Sequence, residues 1–169
     1  GFCNPPICIS TIGRVFTIEA LNERGVIMLT WIYEKLGSME VVIRLEQVNE
    51  LITGSIIQLK PDVKIPEEER SKQPSVFYLV RGIIELFAVT TSDDPQLGLY
   101  GAFGYELTFQ FETIKKQQSR NVNSPQRDLV LYLPDEILVY DNQQASAWRL
   151  KYDFEKDGKS TKDLSRTGT

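Results

Sequence analysis

Histidine is missing altogether from this sequence. Without an imidazole the chain itself holds no Ser-His or Cys-His nucleophile pair, no histidine metal ligand and no histidine general base. Cysteine is scarce. Cys3 and Cys8 stand alone with four residues between them, and two thiols fall short of a four-ligand zinc site. A reduced, partly buried pair in a cytoplasmic protein is the reading that fits them. Long apolar runs are also lacking: the best, Val80 to Phe87, is interrupted by Arg81 and Glu85, so no segment is expected to span a bilayer. The start Gly1-Phe2-Cys3-Asn4-Pro5-Pro6 has no charged region followed by an apolar one and does not read as a signal peptide. Nor is there a positive excess. The chain has 19 Lys and Arg against 23 Asp and Glu, and the runs Lys115-Lys116 and Lys159 to Lys162 are short and diluted, as solvated surface is. Neither nucleic acid nor membrane is therefore an expected partner.

What is present suffices for a core. With 169 residues, 41% hydrophobic, the chain fits a single domain that buries roughly 70% of its unfolded surface and needs neither disulfide nor metal to fold. Ile7 to Ile12 and Val15 to Leu21 read as two strands split by Gly13-Arg14. Asn22-Glu23-Arg24-Gly25 has turn chemistry, with Gly25 free to take positive φ. From Val26 to Leu36 the side chains Leu29, Ile32, Tyr33 and Leu36 recur at helical spacing, and Gly37 is placed to stop the helix. Glu40 to Leu45 reads as a strand and Ile56 to Leu59 as a possible one, punctuated by Gly54. Pro61 to Pro74 is a polar, charge-rich surface connector.

Phe77, Val80, Ile84 and Phe87 then mark one face of a second helix, with Ser71 or Ser75 as cap and an end near Ala88. Gly82 inside it points to close packing or simple tolerance. After the turn signal Ser92-Asp93-Asp94-Pro95, Leu97 to Leu107 is an apolar strand with Gly98, Gly101 and Gly104 at three-residue steps. Glycine weakens a strand unless something approaches its backbone closely. Thr113 to Arg127 reads as a loop. Asp128 to Leu133, Glu136 to Tyr140 and Ala147 to Tyr152 read as an antiparallel meander. The tail Glu155 to Thr169, almost without apolar residues, reads as a linker. The sum is seven or eight strands and two or three helices in mixed order: an α+β chain with a largely antiparallel sheet.

Chemistry-bearing constellations are few. The glycine strand matches neither a P-loop nor a dinucleotide fingerprint, since it does not end in Gly-Lys-Ser/Thr and the glycine spacing is wrong. The carboxylate pairs Asp93-Asp94 and Asp135-Glu136 adjoin prolines and fit solvated turns. Tyr100, Phe103, Tyr105, Phe109 and Phe111 form an aromatic cluster that fits an ordinary core better than a ligand pocket.

The run Gly98-Leu99-Tyr100-Gly101-Ala102-Phe103-Gly104-Tyr105-Glu106-Leu107, followed by Asp128 through Leu133-Pro134-Asp135-Glu136 to Tyr140-Asp141, resembles the N-terminal domain of anthranilate synthase component I. Phe16 to Gly25 and Glu67 to Lys72 agree, and look most like the subtype in which synthase and glutamine amidotransferase share one chain. The motifs recur more loosely in aminodeoxychorismate synthase. One departure is Asn142, where relatives commonly carry histidine.

The resemblance, which runs from about Pro5 to Tyr152, implies a domain over 1–154 lacking its own N-terminal end, and a linker over 155–169 toward a chorismate-binding domain. It implies half of an intertwined β-sandwich flanked by helices in the parent enzyme, and a supporting or regulatory role in converting chorismate and glutamine or ammonia to anthranilate and pyruvate, on the way to tryptophan. The parent lyase would use Mg2+ in its chorismate-binding domain, with no cofactor, metal ligand or catalytic residue here. The implied partners are that domain and the amidotransferase domain, with self-association of this chain where a sheet face or edge is uncovered. The tryptophan feedback site would draw on a serine motif ahead of Gly1 and is expected to be incomplete here. Gly101, Gly104, Tyr105 and Glu106 are the candidate interdomain or pocket-lining residues. The alternative is a stand-alone ligand-binding or interaction module derived from a chorismate-utilising enzyme.

Overall fold

The hairpin of β1 (Ile7–Ile12) and β2 (Val15–Ala20) lies at the centre of the sheet, in register Ile9 to Ile18. Gly13 closes it with φ +59, a conformation that suits glycine. In this computed structural model, which describes residues 1–58, 73–88, 94–111 and 126–167, antiparallel strands are added on both sides. They are β3 (Val42–Val48), β4 (Leu51–Ile56), β5 (Tyr100–Phe103) and β6 (Leu129–Leu133), giving the order β3-β4-β2-β1-β6-β5. The α+β class and the largely antiparallel sheet are as expected from the sequence.

Strand alternation sends Ile7, Ile9, Phe16, Ile18 and Ile52 to one face, where all are fully buried. Two helices cover that face. The first, α1 (Glu23–Gly37), begins where a turn was expected: the Asn22 side chain accepts from the Gly25 amide at 3.0 Å and so caps the helix. Turn and N-cap chemistry use the same residues, which is why the sequence alone did not separate them. Gly25 is not at positive φ. It is small because a Cβ there would lie 2.1 Å from the Pro6 carbonyl oxygen. Met28, Leu29, Ile32 and Leu36 form the buried stripe, and Gly37 ends the helix as expected.

The second helix, α2 (Val76–Phe87), is rotated from the expected face. Leu79 and Ile83 are fully buried whereas Ile84 is 47% exposed. Arg81 and Glu85 mark the outward side and Ile84 falls beside them, so packing on α1 buries Val76, Leu79, Val80, Ile83 and Phe87 instead. Gly82 meets Met39, whose sulfur would lie 2.8 Å from a Cβ, and Lys35 of α1 pairs with Glu85 at 3.1 Å. Ser75 occupies the N-cap position without a side-chain capping bond. Ser71 lies outside the described residues, as do most of the connector Pro61 to Pro74 and of the loop Thr113 to Arg127.

Other boundaries also moved. β3 runs past Leu45 through an irregularity between Ile43 and Glu46, with Arg44 at φ +55. β4 covers Leu51–Ile56 with Gly54 inside it, facing Phe16 across the ladder. A Cβ on Gly54 would lie 2.4 Å from the Phe16 ring, so this glycine makes room for an aromatic and does not interrupt the strand. The expected strand Leu97 to Leu107 is β5 alone, followed by a 3-10 helix, η1 (Tyr105–Gln110).

The expected meander divides at Pro134. β6 joins the large sheet, while β7 (Glu136–Asp141) and β8 (Ser146–Lys151) form their own hairpin, bridged to Phe2 at Ile137. The tail is more than a linker in character: β9 (Glu155–Lys156) and β10 (Lys159–Ser160) turn at Gly158, and Thr161 is fully buried.

Arg14, in the central turn, donates to the carbonyls of Ile57, Pro74 and Gln110 and so ties together the ends of β4, α2 and η1. Gln110 returns the contact, donating to the Gly13 carbonyl at 2.8 Å and accepting from the Val76 amide at 3.1 Å.

Gly25→Ala is expected to cost about 2–3 kcal/mol or more, because the added methyl collides with backbone that cannot retreat without unpairing Pro6 from Leu21. Urea unfolding checks this; an unchanged midpoint would mean that the Pro6 carbonyl yields freely.

Candidate functional site

The face of the large sheet turned away from the helices carries Cys8, Ser10 and Ile12 on β1, and Val15, Thr17 and Glu19 on β2, by the same alternation that buries their neighbours. It is partly apolar and open. Ile12 is 47% and Val15 55% exposed, and at the β3 edge Val48 is 63% exposed. A groove runs along this face over Cys8, Ser10 and Thr17, with Glu19 and Arg127 at its margins. Toward β5, Phe2 packs on Tyr100 and Tyr132, with ring centroids 5.7 and 5.9 Å away. Burial pushes the Cys8 thiol above its ordinary pKa, outweighing a hydrogen bond with Tyr132 and the Arg127 charge. Cys3 is exposed.

The four residues singled out from the sequence sit along the β5 edge. A Cβ on Gly101 would lie 2.0 Å from the Val130 carbonyl oxygen, and one on Gly104 would lie 2.9 Å from that of Asp128. The Gly104 amide donates to this same Asp128 oxygen at 2.6 Å. The close approach that the glycines allow is thus by β6 of the same sheet. Tyr105 is 79% exposed, its ring edge-on to Phe109, and Glu106 is half-buried in the first turn of η1. The aromatic residues do not form one cluster: Phe103 and Phe111 stack on Phe77 of α2, Tyr100 meets Phe2, and Tyr105 meets Phe109.

The carboxylate pairs depart from the expectation of solvated turns. Asp94 accepts from the Tyr152 hydroxyl at 2.9 Å and from the Gln96 amide at 2.9 Å; Asp93 lies outside the described residues. Asp135 is 1% exposed. Its Oδ2 accepts from Nε of the equally buried Arg24 and, at 2.9 Å, from Nη1 of Arg166. Both guanidinium groups also reach Asp153 Oδ1, at 2.9 and 2.7 Å. Arg24 lies in the first turn of α1, Asp135 follows the proline that ends β6, and Asp153 and Arg166 come from the tail. The sequence offered one clue, an aspartate placed directly after a buried strand and its proline.

Burial pushes the Asp153 carboxyl up, but hydrogen bonds and charge from Arg24 and Arg166 overcome this and hold it below the usual carboxylate value. Among the described residues no three His, Cys, Asp or Glu side chains converge as a metal site requires, and no helix is long and apolar enough to cross a membrane.

The chain is similar over 99% of its length, at 41% identity, to an anthranilate synthase of Azospirillum brasilense. It is 29% identical over 79% of its length to anthranilate synthase component 1 of Vibrio parahaemolyticus, and 26% identical over 80% to that of Buchnera aphidicola. It spans 22%, 23% and 25% of the lengths of these three relatives. No family model matches it.

Two outcomes follow from the site chemistry. A colorimetric thiol reagent should titrate Cys3 quickly and Cys8 only on unfolding; two equally fast thiols would mean that the β1 groove admits the reagent. The stability that Asp153 contributes is fully present above about pH 4, the unfolded carboxylate value, and is lost as pH falls through its lowered folded value. Unfolding midpoints followed downward in pH should therefore drop more steeply for this chain than for Asp153→Asn.

Proposed function

Since the chain is a homologue of one segment of anthranilate synthase, we propose that it serves as the N-terminal supporting and regulatory domain of such an enzyme, one that makes anthranilate and pyruvate from chorismate with glutamine or ammonia for tryptophan synthesis. In this reading the chain does no chemistry. The lyase step, the Mg2+ and the release of ammonia from glutamine belong to the chorismate-binding and amidotransferase domains of a cytoplasmic parent chain.

The observation that carries this reading is the asymmetry of the sheet. One face is sealed by α1 and α2, while the other presents Ile12, Val15 and Val48 to solvent beside a β5 edge that no other described strand pairs. A second antiparallel sheet laid on that face would complete a sandwich about 10 Å thick, with β5, η1 and Tyr105 at its margin. Half of an intertwined sandwich is the arrangement that the family resemblance implies. The groove over Cys8, Ser10 and Thr17 then lies between the two sheets, where a small regulatory molecule would meet both domains.

The test is fluorescence-detected anthranilate formation from chorismate, ammonia and Mg2+, comparing this chain with the full-length native polypeptide that contains it. Turnover by the full-length polypeptide alone is the expected outcome. Turnover by this chain overturns the division of labour, and inactivity of both favours a binding or interaction module. Light scattering at rising concentration should show the isolated chain associating through the open sheet face or the β5 edge; a strict monomer throughout counts against the exposed face as a docking surface.

A further inference from the structure

The tail after β8 is attached to the domain in an unusual way. Its hairpin, β9–β10, pairs with itself and with no other described strand. Its main apolar anchor is Phe154, set edge-on against Phe87 of α2 at 5.2 Å. Its other anchors are largely polar: most converge on the first turn of α1, while Lys156 reaches Glu34 near the end of α1 at 3.4 Å and the Tyr152 hydroxyl reaches Asp94 at 2.9 Å. Arg24 Nη1 donates to the carbonyls of Thr161 and Leu164, and Nη2 to the Tyr152 carbonyl and to Thr161 Oγ1. Arg166, itself part of the tail, reaches back to the carbonyl and carboxylate of Asp135 and to Asp153. This cluster has a dry half and a wet half. The side chains of Arg24 and Asp135 are each 1% exposed, against 18% for Arg166 and 44% for Asp153.

We propose that residues Tyr152 to Arg166 form a strap that opens and closes as a unit over the N-terminal turn of α1, latched by the Arg24–Asp135–Arg166–Asp153 cluster, while the six-stranded sheet stays folded. Two features of the attachment support this. The strap contributes no strand to the large sheet and little apolar surface to the core, so releasing it breaks few of the contacts that hold the sheet together. Its wet half consists of charge pairs that water and salt reach and weaken, which gives opening a starting point. The dry half favours closure as a unit: a half-open strap would leave the Arg24 guanidinium buried without the Tyr152, Thr161 and Leu164 acceptors, and Asp135 without Arg166, so intermediate positions are disfavoured. Opening uncovers Arg24 and Asp135 together, a guanidinium and a carboxylate at the foot of the β7–β8 hairpin. The two positions of the strap therefore differ in the surface the domain presents there.

Hydrogen exchange read by mass spectrometry tests the strap on the intact chain. In the unaltered protein, amides of 153–166 should exchange faster than those of β1, β2 and β6, and raising the salt concentration should accelerate the strap without affecting the sheet. Arg166→Gln should speed exchange in the strap about ten-fold or more, leave the sheet unchanged and blunt the effect of salt. Exchange of strap and sheet at one common rate in the unaltered protein would overturn the proposal, and that measurement needs no variant. Unchanged strap protection in Arg166→Gln, or loss of the whole fold with it, would overturn it equally.

Discussion

Burial of one face of the large sheet beneath α1 and α2 is the constraint on which the rest of the structure depends. Ile7, Ile9, Phe16, Ile18 and Ile52 are fully buried from the strands, and Met28, Leu29, Ile32, Leu36, Leu79 and Ile83 from the helices. At roughly 25 cal/mol for each Å² of apolar surface removed from water, this layer is the main favourable term in folding. Because a one-residue slip would turn every inward side chain outward, the same burial also sets the register of β1 against β2 and β6. The close approaches at Gly25, Gly54 and Gly82 accompany it: each is a place where neighbouring segments lie too near for a Cβ.

A one-sided sheet has a second consequence. The opposite face keeps half of each strand's side chains, and here those include Ile12, Val15 and Val48 as well as polar residues. Ordinary solvated faces of antiparallel sheets alternate cleanly between apolar inside and polar outside. This one does not. In a chain that spans about a fifth of its Azospirillum relative, a mixed face of this kind suits the proposed contribution, which is to support chemistry done elsewhere.

The hairpin β7–β8 and the tail are organised by a different force. Neither joins the large sheet, and the two are gathered onto α1 by two guanidinium groups shared between two carboxylates. Such clusters specify an arrangement strongly, because any other one would strand a buried charge, while adding little to net stability. Packing thus holds the sheet and helices together, and charge positions what is attached to them.

Local chemistry was enough to read much of this from the amino-acid sequence. The β1–β2 hairpin, the existence of both helices, the α+β class and the glycine-dependent closeness of the β5 edge follow from periodicity, turn residues and the absence of Cβ atoms at Gly101 and Gly104. So did the resemblance to anthranilate synthase. Tertiary structure decided the rest, for reasons that can be named. In α2 the spacing placed Val80 and Phe87 correctly, but Ile84 faces out beside Arg81 and Glu85 because the helix packs on α1 through Leu79 and Ile83. Gly54 looked like a break until Phe16 lay over it. Asp135 looked like a turn carboxylate because its partners Arg24 and Arg166 are 111 and 31 residues away, and no local pattern records a pairing over such separations. The sequence by itself determined which residues prefer strand, helix and turn, since those preferences are short-range; which of them touch was decided only when the distant segments packed.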